Sequence, residues 1–96
     1  MKDKKDDKIL TLHPQGKKGV NISLHKYEQI KNFILKTIKK KGVITFKELS
    51  DIAVKKLTVK FDGKVLWYIV TVKLDLEARN LIERIPNSNP QKIKAK

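Results

Sequence analysis

Between Ser23 and Gly42 the apolar positions Leu24, Tyr27, Ile30, Ile34 and Ile38 recur every three or four residues, and Phe33 widens the stripe. That spacing puts them on one face of a helix. Ser23 offers a hydroxyl to an orphan backbone N–H at the start, Lys36, Lys39, Lys40 and Lys41 collect at the negative pole of the helix dipole, and Gly42 supplies a left-handed stop. Val43 to Thr45 is a short β-favouring stretch. Thr45-Phe46-Lys47-Glu48 then matches a capping box and opens a second helix whose inward face is Phe46, Leu49, Ile52, Ala53 and Leu57.

Residues 64 to 72 read two ways. "TVKF-DG-KVLWYIV" sets Asp62-Gly63 between two β-rich runs, a strong hairpin signal, and Ile69 to Val72 are all β-branched. In a helix those four residues cost roughly 2 kcal/mol relative to Ala, an amount that burying one Val or Ile recovers, at about 1.5 to 3 kcal/mol. Val65, Ile69, Val72 and Leu76 follow helical spacing, and so do Lys64, Tyr68, Thr71, Asp75 and Arg79 on another face. A period of two explains neither set, so the pattern favours a third helix, ended by Asn80 in a left-handed turn.

The last stretch, "LIERIP-NSN-PQKIKAK", is two β-capable runs around a polar turn, with Pro86 and Pro90 confining it to an edge ribbon. Upstream, residues 1 to 8 alternate Lys and Asp as a mobile end does, and Ile9 to Leu12 and Val20 to Ile22 form an extended arm with a turn at its middle. The expected organisation is a flexible N-terminus and arm over residues 1–22 and one domain over 23–96. Its order of helix, short strand, helix, helix and β-hairpin is that of the winged helix-turn-helix, an α+β fold.

"KLDLEARNLIERIP" resembles the segment of winged-helix proteins in which the third helix ends and the wing begins. The longer run "WYIVTVKLDLEARNLIERIP" is similar to a small family of uncharacterised winged-helix-like proteins with a Trp-Tyr start and a Leu-Asp-Leu-Glu-Ala-Arg core. The resemblance covers about residues 23 to 96. Many of these domains have Gly where this chain has Asn80, which tolerates the same turn. A third helix in the major groove and a wing along the backbone are what the resemblance implies.

Charge narrows the partner class. With Lys+Arg 23 against Asp+Glu 10, the net charge is +13, a field that attracts polyanions. Only Arg79 and Arg84 are arginines, and lysine is a point charge without the fork that reads guanine edges, which favours phosphate contact over base reading. No cysteine is present, which excludes disulfides and thiolate metal sites. The apolar run "VLWYIVTV" is too short to span a bilayer, no signal-type region follows the first residues, and a soluble, cytoplasmic protein is expected.

Residues 65 to 85 carry no net charge, whereas 23 to 42 sum to +5 and 86 to 96 to +3. The expected nucleic-acid-binding residues are Lys64, Tyr68, Thr71, Arg79 and Arg84 on the third helix and its exit, with Lys92, Lys94 and Lys96 along the wing. Asp75 is awkward on that helix face, and a solvated surface with Asp75 and Arg79 pairing stands beside the DNA-reading face as an equal alternative. Trp67 reads first as a core or helix-packing residue and second as a stacking or partner-anchoring surface. His13 and His25 stand apart without partners at ligand spacing, and there is no Gly-rich phosphate loop, nucleophile elbow or HExxH. The sequence thus points to a non-enzymatic DNA-binding protein, a transcriptional regulator or accessory factor, without cofactor or metal. A protein-interaction module and a non-specific RNA-binding domain are the rivals, and the oligomeric state, monomer or homodimer, stays open.

Overall fold

A computed structural model describes residues 7–96 of the chain, which is α+β with three helices and two small antiparallel sheets. The expected mobile end falls largely on residues 1–6, outside the described residues. Lys8 belongs instead to a strand, β1 (Lys8–Leu10), which pairs with β2 (Asn21–Ser23) so that Ile9 faces Ile22. The arm is therefore a paired ribbon. Its return is tight at Gly19, where an added Cβ would meet the Thr11 carbonyl oxygen at 1.7 Å.

α1 (Leu24–Lys41) starts where the Ser23 hydroxyl accepts the Lys26 N–H at 3.3 Å, and it buries Tyr27, Ile30, Ile34 and Ile38. Gly42, at φ 84°, ends it by donating its N–H to the Ile38 carbonyl. β3 (Val43–Thr45) leads into α2 (Phe46–Leu57), whose first turn is capped by the Thr45 hydroxyl accepting the Glu48 N–H at 3.0 Å. The Glu48 carboxylate lies 3.9 Å from the Lys41 ammonium. Leu49, Ala53 and Leu57 are buried, while Phe46 and Ile52 pack against the core from its margin.

α3 (Val65–Ala78) resolves the ambiguity at 64 to 72 in favour of the helix. Val65, Ile69, Val72 and Leu76 all enter the core, and their burial outweighs the β-branched penalty. Asp62 and Gly63 turn the chain between α2 and α3 rather than between strands. Asn80, at φ 65°, takes the left-handed turn, and the Leu81 N–H reaches back to the Leu76 carbonyl.

β4 (Ile82–Arg84) and β5 (Lys92–Ala95) form the terminal hairpin, and β3 pairs with β5 in a sheet of order β3-β5-β4. This corrects the expected edge ribbon: β5 is the central strand. Pro86 and Pro90 lie in the β4–β5 connection, so β5 keeps its N–H groups for both neighbours. Ile44, Ile82 and Ile93 seal the sheet against the helices. No described helix is long and apolar enough to cross a membrane.

Candidate nucleic-acid interface

The row Lys64, Tyr68, Thr71, Asp75 and Arg79 exists along α3, but it is not the free face of the helix. Lys64 is exposed at the N-cap, without a side-chain capping bond. Tyr68 is half-buried, edge-on to Phe61 at 5.0 Å and to Trp67 at 4.9 Å between ring centroids, with the Lys26 ammonium 5.7 Å from its ring. Thr71 is also half-buried, in a cleft shared with Thr11, Leu12 and Val20 of the arm. Asp75, expected at the surface, is 0 % exposed.

At Thr71 and Asp75 the reason is the arm, which comes down over them. Asp75 Oδ1 accepts the backbone N–H of Leu12 at 2.8 Å, Oδ2 accepts the Tyr27 hydroxyl of α1, and Arg79 Nε donates to both oxygens at 3.0 and 2.9 Å. One carboxylate thus ties arm, α1 and α3 together. Burial, and then the hydrogen bond to Asp75, push the Tyr27 phenol well above its ordinary pKa. The bond to Asp75 likewise holds the Arg79 guanidinium above its usual value. Arg79 joins this junction through its Nε, and the residue remains exposed at the surface.

The solvent face of α3 is apolar. Leu66, Trp67 and Val70 are 52, 46 and 38 % exposed, and Leu74 is half-buried beside them. Trp67, for which core packing is the first expectation and an anchoring surface the second, stands on this surface. Of the charged residues nearby, Lys73 and Glu77 are turned inward as a buried ion pair at 2.7 Å, while Arg84, exposed on β4, approaches Glu77 at 3.9 Å. Desolvation drags the Lys73 ammonium below the ordinary lysine pKa, with Glu77 opposing the shift.

The lysines of β5 are exposed on either side of buried Ile93. Lys94 and Lys96 lie 3.5 and 4.0 Å from Glu83 of β4, so the neighbouring strand offsets part of their charge. Lys92 has no ion-pair partner among the described residues, and the same is true of the exposed Lys36, Lys39, Lys40, Lys55 and Lys56 on α1 and α2. Of the cations expected on α3 and the wing, Arg79, Arg84, Lys94 and Lys96 lie within 4.0 Å of a carboxylate, while Lys64 and Lys92 have no such partner among the described residues. Sequence reasoning passed over Lys55 and Lys56, whose only signal was their spacing of three and four residues from Ile52. Among the described residues no group of three or more His, Cys, Asp and Glu side chains could hold a metal ion.

These features define a small basic α+β protein with cations on α1, α2 and β5 and an apolar third helix. The chain belongs to a family of unknown function, DUF6958, which matches residues 8–93. No curated protein and no solved structure matches it.

Proposed function

We propose that the protein is a winged helix-turn-helix domain that binds DNA through lysine–phosphate contacts, with little sequence preference. The order α1, β3, α2, α3, β4, β5, with β3 returning to pair with β5, supports that fold. The observation that carries the binding reading is the set of exposed lysines on α1, α2 and β5 without ion-pair partners among the described residues, on a chain of net charge +13. Such a set attracts phosphates and carries no base code. An α3 whose free face is Leu66, Trp67 and Val70 offers base edges a single donor there, the Trp67 indole N–H.

The test is the affinity of the full chain for two unrelated duplexes over a salt series. Equal affinity for both is expected, with log Kobs falling linearly in log salt by about 0.9 per phosphate contacted. A folded protein that binds neither duplex at low salt overturns the reading.

The same apolar face favours a second reading, in which α3 is a protein-contact surface. Exposed contiguous apolar side chains mark interfaces more often than free surface, and residues 65 to 85 carry no net charge to repel a second copy. Self-association that is lost in the Leu66→Glu, Val70→Glu variant by sedimentation is the expected result. A wild-type chain that stays monomeric as its concentration rises overturns it.

A further inference from the structure

We propose that the cleft between α1 and α2 is a binding site for single-stranded nucleic acid, an inference that rests on the nucleic-acid reading above and gives it a location. The cleft encloses about 740 Å³ and is lined by Phe33, Lys36, Thr37, Lys40 and Lys41 from α1 and by Ile52, Lys55 and Lys56 from α2. The spacing on the two helices explains why these residues meet. Positions 33, 36, 37 and 40 follow one face of α1, and 52, 55 and 56 follow one face of α2, so each helix contributes one apolar side chain followed, one turn on, by ammonium groups.

Phe33 and Ile52 pack against the core yet still line the opening, and they form its apolar floor. Five lysines form the walls. No acidic side chain lines the cleft, and Glu48, 3.9 Å from Lys41, is the ion-pair partner of one wall lysine. Cations three and four residues apart repel one another, and an anion seated among them relieves that repulsion. The lysine stems can also lie along the floor while their ammonium groups stay in water.

The chemistry of the occupant follows from that combination. A duplex presents phosphates and hides the faces of its bases, which would leave Phe33 and Ile52 without a contact. A single strand offers a phosphate at every residue and a flat apolar base that can stack on an aromatic ring. An acidic amphipathic helix would meet the lysines equally well, but helix-in-groove docking uses a row of anchors at i, i+3, i+4 and i+7. Two apolar residues are too few for that row.

Binding of labelled oligo-dT, oligo-rU and random duplex of equal length, followed by fluorescence anisotropy at several salt concentrations, tests the inference. The wild-type chain should prefer a single strand, whether DNA or RNA. Changing Lys36, Lys40, Lys55 and Lys56 to Gln should weaken single-strand binding by tenfold or more and flatten the salt slope by roughly 0.7 per contact removed. A charge-matched control, with Lys8, Lys17, Lys18 and Lys60 changed to Gln, should lose much less. Phe33→Leu, which keeps an apolar side chain against the core, should lower single-strand affinity about fivefold or more and leave duplex binding unchanged. Circular dichroism establishes that each variant is folded.

If the wild-type binds and the cleft variant loses no more than the control, the cleft is wrong while the broader reading stands. Equal or better binding of duplex, with Phe33→Leu inert, overturns the single-strand assignment. Competition by polyglutamate as effective as that by oligo-dT transfers the cleft to acidic protein segments. No binding of any nucleic acid removes both readings.

Discussion

Replacing Asp75 with alanine is expected to lower stability by about 3–5 kcal/mol, the range for removing one partner of a buried charged cluster. Its carboxylate is fully buried and accepts from Leu12, Tyr27 and Arg79 at once. Without it, the Tyr27 hydroxyl is left unpaired among apolar side chains and the arm loses its backbone anchor at Leu12. In a domain of this size each kcal/mol moves the melting temperature by roughly 4–8 °C, so the fall should be at least about 12 °C. Asp75→Asn keeps an acceptor for the phenol and should lose less. Tyr27→Phe removes a single hydrogen bond to a charged group, worth about 1.5–3 kcal/mol. Hydrogen exchange at the Leu12 amide separates release of the arm from global unfolding, because the arm should open first in the Asn variant. A melting temperature for Asp75→Ala within a few degrees of the wild type would mean that this junction does not hold the arm.

That junction also shows where sequence reasoning stops. The period that put residues 64, 68, 71, 75 and 79 in one row was correct as geometry, and their polarity argued that the row faced water. Polarity misled at Thr71 and Asp75 because the arm, whose Leu12 lies 63 residues before Asp75, covers them and satisfies Asp75 through a backbone N–H that no pattern reveals. The opposite face carried its own signal in Leu66, Val70 and Leu74, which made the helix apolar on nearly every side. Local signals fared better. The Ser23 and Thr45 caps, the Gly42 stop and the left-handed Asn80 depend on neighbours within a turn, and each is found in the expected place. The central position of β5 depends on β3 returning from across the chain, and the lysine cleft depends on two helix faces meeting. Both are tertiary facts, and sequence periodicity alone contains neither.

The pair Lys73–Glu77 should behave differently from Asp75, because both of its charges can be removed together. Lys73 and Glu77 have side chains only 5 and 8 % exposed, and their 2.7 Å contact must offset the desolvation of two ions. Lys73 also donates to the Gln91 side-chain carbonyl in the β4–β5 connection and lies 5.3 Å from the Phe46 ring, so it ties α3 to the hairpin and to α2. Lys73→Met alone leaves a buried carboxylate with only Arg84 near it and should cost about 3–5 kcal/mol. The double change Lys73→Met, Glu77→Leu removes both ions and fills similar volume, and it should return stability to within about 1.5 kcal/mol of the wild type. The Glu77→Gln variant adds a sign that packing alone would not give. Burial already lowers the Lys73 pKa, Glu77 opposes that shift and Arg84 adds to it, so the substitution lowers the folded-state value further. Between that lowered value and the ordinary 10.5 the unfolded chain binds a proton that the folded chain does not. Stability of Glu77→Gln, measured relative to wild type by denaturant titration at successive pH values, should therefore rise as the pH climbs toward 10.5. A difference that is flat with pH would mean that the Lys73 ammonium reaches water once Glu77 is gone. A double variant no more stable than Lys73→Met would mean that the link to Gln91, and not the unpaired charge, is what the helix loses.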